Sequence, residues 1–310
     1  MRRLAAVALL LSAAVVLATL AVLAGPRPGI GASRQGQGQQ ATVVGTTHKG
    51  TGGPSFDRRL AFLVIGSDSG APKFGRGGDV AGGRADSIHL VVVNPNTKRG
   101  VLIGIPRDSF VNIPGHGMSK INAAMSIGGP QLLVKTVEAL SGIRIDYWVL
   151  TSFDGLTDLV NAVGGVTVKV DQNVSDHAAG ANLHKGTQRL NGANALAYSR
   201  ARKSLPGGDL TRSKHQGDVL LGGLDTFQSQ LKRNPAALIV WLAATKDHVV
   251  TTDVPFDQLL RLALVAGQIR SSAFSNKVLP GVGGSAGGAS IVRLAPGATK
   301  ILQDARNGSF

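Results

Sequence analysis

Five arginines, two aspartates and a glutamine are the groups here whose types and spacing point to chemistry. Arg84, Arg107, Arg200, Arg202 and Arg212 are concentrated around expected loops and helix starts. Arginine is the side chain suited to planar, two-pronged recognition of phosphate. Gln216 lies one helical turn beyond Arg212 on the same face, with an amide to offer the same group. Asp68 and Asp86 each lie beside an apolar run and next to serine hydroxyls, and two such carboxylates suit a hard cation such as magnesium. A divalent cation with several guanidiniums is the equipment that stabilises charge in phosphoryl transfer. The residues alone leave a plainer reading open. An Arg–Asp pair also pins a loop, an arginine is also a solvated charge, and an Asp at a turn is also a cap.

The elements that must position these groups follow from pattern. Arg107 and Asp108 come after Val101–Ile105, a short apolar run of buried-strand type. Pro106 ends that strand because it lacks the N–H that a ladder requires. Turns at Ile113-Pro114-Gly115 and Gly117 then lead to Lys120. Two more strands are expected at Ala61–Ile65, running into Asp68, and at Ile88–Val93, preceded by Arg84-Ala85-Asp86-Ser87. Pro130 predicts the first position of a helix that Gly142 ends. Ser152 and Asn191 predict caps of two further helices, and Asp209 predicts the cap of the long helix carrying Arg212 and Gln216. Val166, Val168 and Val170 alternate as in a half-exposed strand. More helices are expected from Pro235 and over Pro255–Arg270, then a loop over Gly281–Gly288 and a last strand at Ile291–Leu294. Strands alternating with helices predict an α/β fold, a three-layer α-β-α arrangement with a central mixed sheet flanked by helices.

Of the 310 residues, 1–24 read as a signal peptide or N-terminal membrane anchor, with Arg2 and Arg3 ahead of the uncharged run Leu4–Ala24. Residues 25–57 read as a flexible linker and 58–310 as one domain. Either fate of the first segment places the body outside the cytoplasm. Cysteine is absent, which excludes thiol catalysis, iron–sulfur clusters and cysteine zinc sites. The net charge is +15. For an exported chain this points to phospholipid headgroups and phosphate-rich wall polymers rather than nucleic acid, since aromatic stacking residues are only 4%. The seven histidines make no HExxH, there is no GxSxG, and Gly75–Gly83 lacks the GK[ST] of a P-loop.

Seven stretches together resemble the LytR–CpsA–Psr (LCP) proteins of bacterial cell envelopes. They are Gly66–Ser69, Arg84–Ser87, Ile105–Gly115, Lys120–Gly129, Ile145–Val166, Leu190–Arg202 and Gly208–Gln216, in order over most of the body. The resemblance implies a membrane-anchored, extracytoplasmic LCP-type enzyme with a groove for a prenyl lipid. It implies transfer of a glycopolymer from a polyprenyl-pyrophosphate carrier onto peptidoglycan, forming a phosphodiester with Mg2+. Asp68 and Asp86 then match the metal-binding acids, and Arg84, Arg107, Arg200, Arg202, Arg212 and Gln216 match the pyrophosphate-binding set, with Arg107 and Asp86 at the reacting centre. A polyprenyl-pyrophosphate phosphatase and a non-catalytic lipid- or polymer-binding protein are the competing readings. Three positions depart from the family pattern: Gly70, Asn161 and His215. The last replaces an arginine, a change expected to weaken phosphate binding or to make it pH-dependent.

Overall fold

The computed structural model describes residues 42–47, 58–67, 73–74, 80–81, 83–203, 205–237, 240–241, 249–251, 254, 258, 262 and 269–310. The first strands are β1 (Thr42–Thr46), β2 (Leu60–Ser67), β3 (Lys73–Phe74), β4 (Val80–Ala81), β5 (Ala85–Asn94) and β6 (Arg99–Gly104). A small hairpin follows, β7 (Phe110–Ile113) and β8 (Gly117–Lys120), then helix α1 (Ala123–Ser141). Next come β9 (Tyr147–Ser152), α2 (Phe153–Ala162), β10 (Val166–Val170), β11 (Val174–Asp176), β12 (Ala181–Leu183) and β13 (Gly186–Leu190). The chain continues with α3 (Gly192–Arg200), α4 (Asp209–Arg233), β14 (Val249–Thr251), β15 (Phe274–Val278), β16 (Gly281–Ala286), β17 (Ala289–Leu294) and α5 (Pro296–Asn307).

Seven strands form the central sheet in the order β14-β1-β9-β2-β5-β6-β15. It is mixed as expected: β2 pairs antiparallel with β5 and parallel with β9. Alternation along β5 divides its side chains between two cores. Val91 and Val93 join Phe62, Leu224 and Phe227 under α4. Ile88, Leu90 and Val92 join Leu133, Val137 and Leu302 under α1 and α5. Each large side chain buried this way contributes roughly 1.5–3 kcal/mol. A third cluster, with Val160, Val168, Tyr198 and Val219, joins α2, α3 and the β10–β13 hairpin to α4.

Local signals set most boundaries. Ser152 accepts from Gly155 N at the start of α2, and Asn191 from Asn194 N at the start of α3. Gly142 closes α1 in the left-handed region, its N–H on Glu138 O at 2.8 Å. The helix begins at Ala123 rather than Pro130, but Gly128 and Gly129 leave helical geometry, so Pro130 does open its long segment.

Four expectations need correcting. Within the stretch read as a linker, Thr42–Thr46 pairs antiparallel with β9, because β-branched Thr and Val suit an extended slot that the surrounding Gly/Gln composition hides. Gly281–Gly288 is not a loop: β16 runs through it into β17, turning at Gly287 and Gly288 with φ of 55° and 78°. Two successive positive φ values make the tight hairpin turn that glycine allows. Asp209 is the first helical residue, and the cap position belongs to Gly208 with φ 51°. The C-terminal helix α5 was not anticipated, although Pro296 at its start and Gly308 at its end are regular helix signals. The segment 1–24 and most of the helices expected from Pro235 and over Pro255–Arg270 lie outside the described residues. Among the described residues, no helix is long and apolar enough to cross a membrane.

Candidate anion-binding site

Three backbone segments bring the charged groups together. The first is the loop after β6. Its carbonyls are held by two other segments: Arg107 O by Asn122 N at 3.2 Å and Ser109 O by Ile121 N at 2.8 Å, both from the turn ahead of α1, and Asp108 O by Val292 N of β17 at 2.8 Å. That clamping fixes where the Arg107 side chain starts. The second is the end of α3 and the turn after it. Arg200 sits 5.3 Å over the Phe153 ring. The buried Asp176 carboxylate accepts the N–H groups of Arg202 and Lys203 at 2.8 Å each. The third is the first two turns of α4, where Asp209, Arg212 and Gln216 share a face at the helix N-terminus. That end of a helix favours negative charge.

Asp86 arrives by a β-bulge. Gly66 pairs with Ser87 and Ser67 with Ala85, so Asp86 is the extra residue opposite that step. A bulge bends its strand and re-aims a side chain. Asp86 thus lies within β5, which begins at Ala85 rather than at Ile88 as expected, and its carboxylate accepts from Arg107 Nη1.

Asp86, Arg107, Arg200, Arg202, Arg212 and Gln216 all line one cavity of about 310 Å³. Phe153, Asp176 and Lys203 complete its charged and aromatic wall. Arg202 donates to Asp209 at 2.9 Å, and Arg212 lies 3.3 Å from the same carboxylate. Arg107 Nε is buried with no hydrogen-bond acceptor; its nearest carboxylates are 3.8 Å away in Asp108 and 3.9 Å away in Asp209. It is one of several buried polar atoms without a partner among the described residues, and it belongs to a side chain that lines the cavity, where an anionic ligand would satisfy it.

The electrostatics match this crowding. Burial pushes Arg212 below its ordinary pKa, and Arg107 and Arg202 push the same way against the pull of Asp209. Burial also works to raise Asp209, but Arg212, Arg202 and Arg107 outweigh it and hold the carboxyl below the usual range. Asp176 is lowered by the backbone N–H groups it accepts. Arg107 is raised, because Asp86, Asp108 and Asp209 together overcome its burial.

The remaining expected residues fall elsewhere. Arg84, just before β5, is exposed and is not part of the cavity wall. Asp68 and Gly70 lie outside the described residues. Lys120 pairs with Asp108 at 3.1 Å beside the cavity. Asn161 accepts the Gly192 N–H at 2.8 Å, joining α2 to the start of α3. His215 is fully buried and stacked on Tyr198, ring centroids 4.0 Å apart. It does not line the cavity, so the expected pH-dependent phosphate contact is absent: the next residue, Gln216, is the one the helix turns inward. Residues the sequence did not single out are Asp176, Phe153, Lys203 and the ion-pairing role of Asp209. Only Asp209, three residues before Arg212, carried a signal.

Magnesium fits the described residues only by half. Asp86 supplies one hard oxygen donor already shared with Arg107, and no group of three or more acidic or histidine side chains among the described residues forms a metal site.

An α/β/α protein with a basic, anion-sized cavity at the strand ends of its sheet is the class that this fold and site define. A family model described as the LytR_cpsA_psr family matches residues 33–306, and the chain belongs to that family. It is 41% identical over 175 residues to the probable cell wall biosynthesis protein LcpB of Corynebacterium glutamicum, covering 54% of this chain and 42% of that protein. It is 36% identical over 206 residues to the polyisoprenyl-teichoic acid–peptidoglycan teichoic acid transferase TagU of Oceanobacillus iheyensis, covering 64% and 60%. The matches thus span about half the length of these relatives. Among solved structures, TagT bound to LI-WTA superposes with a TM-score of 0.64 at 26% identity over 84% of this chain and 95% of that one. TagU of B. subtilis superposes with a TM-score of 0.60 at 27% identity over 81% and 96%.

Proposed function

We propose that this protein is a phosphotransferase that moves a glycopolymer from a polyprenyl-pyrophosphate carrier onto peptidoglycan, working outside the cytoplasm at the membrane surface. The observation that carries the reading is the convergence of four guanidiniums on one cavity of about 310 Å³, with a buried Arg107 N–H left over for a ligand. Transferases named for teichoic acid and peptidoglycan among the relatives support the same substrates.

In this reading the pyrophosphate lies between Arg107, Arg200, Arg202 and Arg212, with Gln216 donating its amide. An acceptor sugar hydroxyl attacks the phosphorus nearer the glycan in line, and the bond to the bridging oxygen breaks. Polyprenyl monophosphate leaves, and the glycan phosphate becomes a phosphodiester. The guanidiniums carry the charge that builds on the transferring and leaving oxygens. Of the two carboxylates on the wall among the described residues, Asp176 is a poor base because its oxygens are filled by backbone N–H groups. Asp86, on the wall beside Arg107, and Asp108, paired with Lys120 next to it, are the candidates to receive the hydroxyl proton. Magnesium is part of the proposal: Asp86 with Asp68 would hold it, and it would add positive charge beside the pyrophosphate. The test is to incubate the purified protein with a polyprenyl-pyrophosphate-linked glycan, with and without peptidoglycan. Release of polyprenyl monophosphate that requires the acceptor is expected. Release that ignores the acceptor identifies a phosphatase, and tight binding without turnover a binding protein.

A further inference from the structure

A second, larger cavity lies on the opposite face of the sheet, between the β7–β8 hairpin, the end of α1, β17 and α5. It is a cleft of about 950 Å³, at the upper end of the range for ligand pockets, ~300–1,000 Å³. We propose that this cleft binds the acceptor of the transfer reaction, an acidic, N-acetylated glycan strand carrying peptide stems. The proposal rests on the transferase reading above.

Its wall has the chemistry such a strand requires. Phe110, Met118 and Leu302 offer apolar surface for sugar faces and acetyl methyls. Asn112 and Gln303 offer neutral amides for hydroxyl and acetamido groups. Among the described residues, the charged ones on the wall are Arg293 and Arg306, and no carboxylate lines it. None of the ion pairs among the described residues involves either arginine. Arg293 is held 5.9 Å over the Phe110 ring, which positions its guanidinium at the rim for a stem carboxylate. Met118 is 56% exposed, so an apolar side chain stands in solvent where a partner would cover it. A fatty chain fits less well, since it would cover two arginines and two amides whose charge and hydrogen-bonding capacity it cannot match. A neutral glycan would leave the two cations without use.

Continuity with the anion cavity is the second argument. Arg107 lines that cavity, and Phe110, three residues on, lines the cleft. The same short loop is bridged to β17, with Val292 N on Asp108 O at 2.8 Å and Ser109 paired to Val292. Arg293 and Leu294, next on that strand, line the cleft. A strand bound along the cleft is therefore registered against the loop that positions Arg107.

The experiment uses the full-length protein and two probes: a soluble peptide-bearing tetrasaccharide of peptidoglycan, and neutral chitotetraose. Arg293→Glu and Gln303→Ala are both exposed substitutions that leave the fold intact. Each is expected to weaken binding of the peptide-bearing fragment, Arg293→Glu by tenfold or more. The KM for that acceptor should rise by a similar factor, while KM for the lipid-linked donor stays unchanged. Unaltered fragment binding in Arg293→Glu overturns the proposal, as does chitotetraose binding as tightly as the charged fragment. Wild-type protein that binds the fragment through Arg293 but cleaves no pyrophosphate donor supports the glycan site and removes the transferase reading. Normal transfer with an unchanged acceptor KM in Arg293→Glu removes the cleft assignment alone.

Discussion

Arg202 donates to Asp209 at 2.9 Å, and through this bond the loop after α3 is held against the first turn of α4. The same carboxylate lies 3.3 Å from Arg212 and 3.9 Å from Arg107, so one anion gathers three cations from three segments. Asp209→Asn keeps the shape and removes the charge. The three guanidiniums then repel one another, and the ligand-free protein should lose about 1–2 kcal/mol of stability. This is below the ~3–5 kcal/mol of a broken buried pair, because Asp209 is partly exposed and screened. Inorganic pyrophosphate should restore the lost melting temperature and stabilise the variant more than it does the wild type. Equal pyrophosphate-induced shifts in the two proteins would count against an anion site here.

Arg107 combines a short ion pair to Asp86 with an unpartnered Nε. Lysine keeps the charge but loses the fork, so Arg107→Lys separates geometry from electrostatics. A residue that only braces its loop would show its loss as instability. The clamped backbone of residues 107–109 should instead keep the variant folded, with transferase turnover down on the order of 10²-fold. Near-normal turnover at saturating donor would return Arg107 to a bracing role.

What was legible in the sequence was local. Ser152 and Asn191 sit where a hydroxyl or amide must meet free N–H groups, and Pro106 and Gly142 sit where the backbone must stop, so each could be read from its neighbours. The arginines could be read because their type restricts their chemistry. The anion clamp at Asp209 could not, because it depends on Arg107, a hundred residues earlier, arriving beside α4. Nor could the fate of His215: the helix phase that turns Gln216 to the cavity turns His215 onto Tyr198, and only the packing of α3 against α4 fixes that phase. Asp86 was found by type but misplaced, since a bulge leaves no mark in a single strand's sequence.

Gly104 lets β6 approach α4. A Cβ there would lie 2.3 Å from Ser213 Oγ and 3.3 Å from His89 Nε2. Gly104→Ala should therefore cost about 1–3 kcal/mol and push away the turn that carries Arg212, with turnover falling several-fold. Ser213 Oγ has no hydrogen-bond partner, so removing it costs little. The double variant Gly104→Ala/Ser213→Ala should recover most of both losses. A double variant as impaired as Gly104→Ala alone would show that the strand–helix approach is not what the glycine protects.

His89 ties the strand bearing Asp86 to the helix bearing Arg212. It is fully buried, with Nε2 3.0 Å from the Ser213 carbonyl and Nδ1 3.1 Å from Ser87 Oγ. A carbonyl only accepts, so Nε2 carries the proton and Nδ1 accepts from the serine hydroxyl. Burial lowers its pKa to about 4, despite the Ser213 bond and the charge of Asp218, whereas an unfolded chain has ~6.5. Between those values the unfolded state binds the proton and the folded state does not. The stability His89 confers as a neutral ring is thus complete above about pH 6.5 and is lost as pH falls toward 4, on the order of 3 kcal/mol in all. His215, also lowered by burial, adds a loss of the same sign. His89→Gln can still donate to Ser213 but does not titrate, so its urea midpoint should fall less steeply than that of the wild type between pH 6.5 and pH 4.5. Parallel curves for the two proteins over that range would mean that His89 is protonated in the fold and that the buried neutral ring is wrongly assigned.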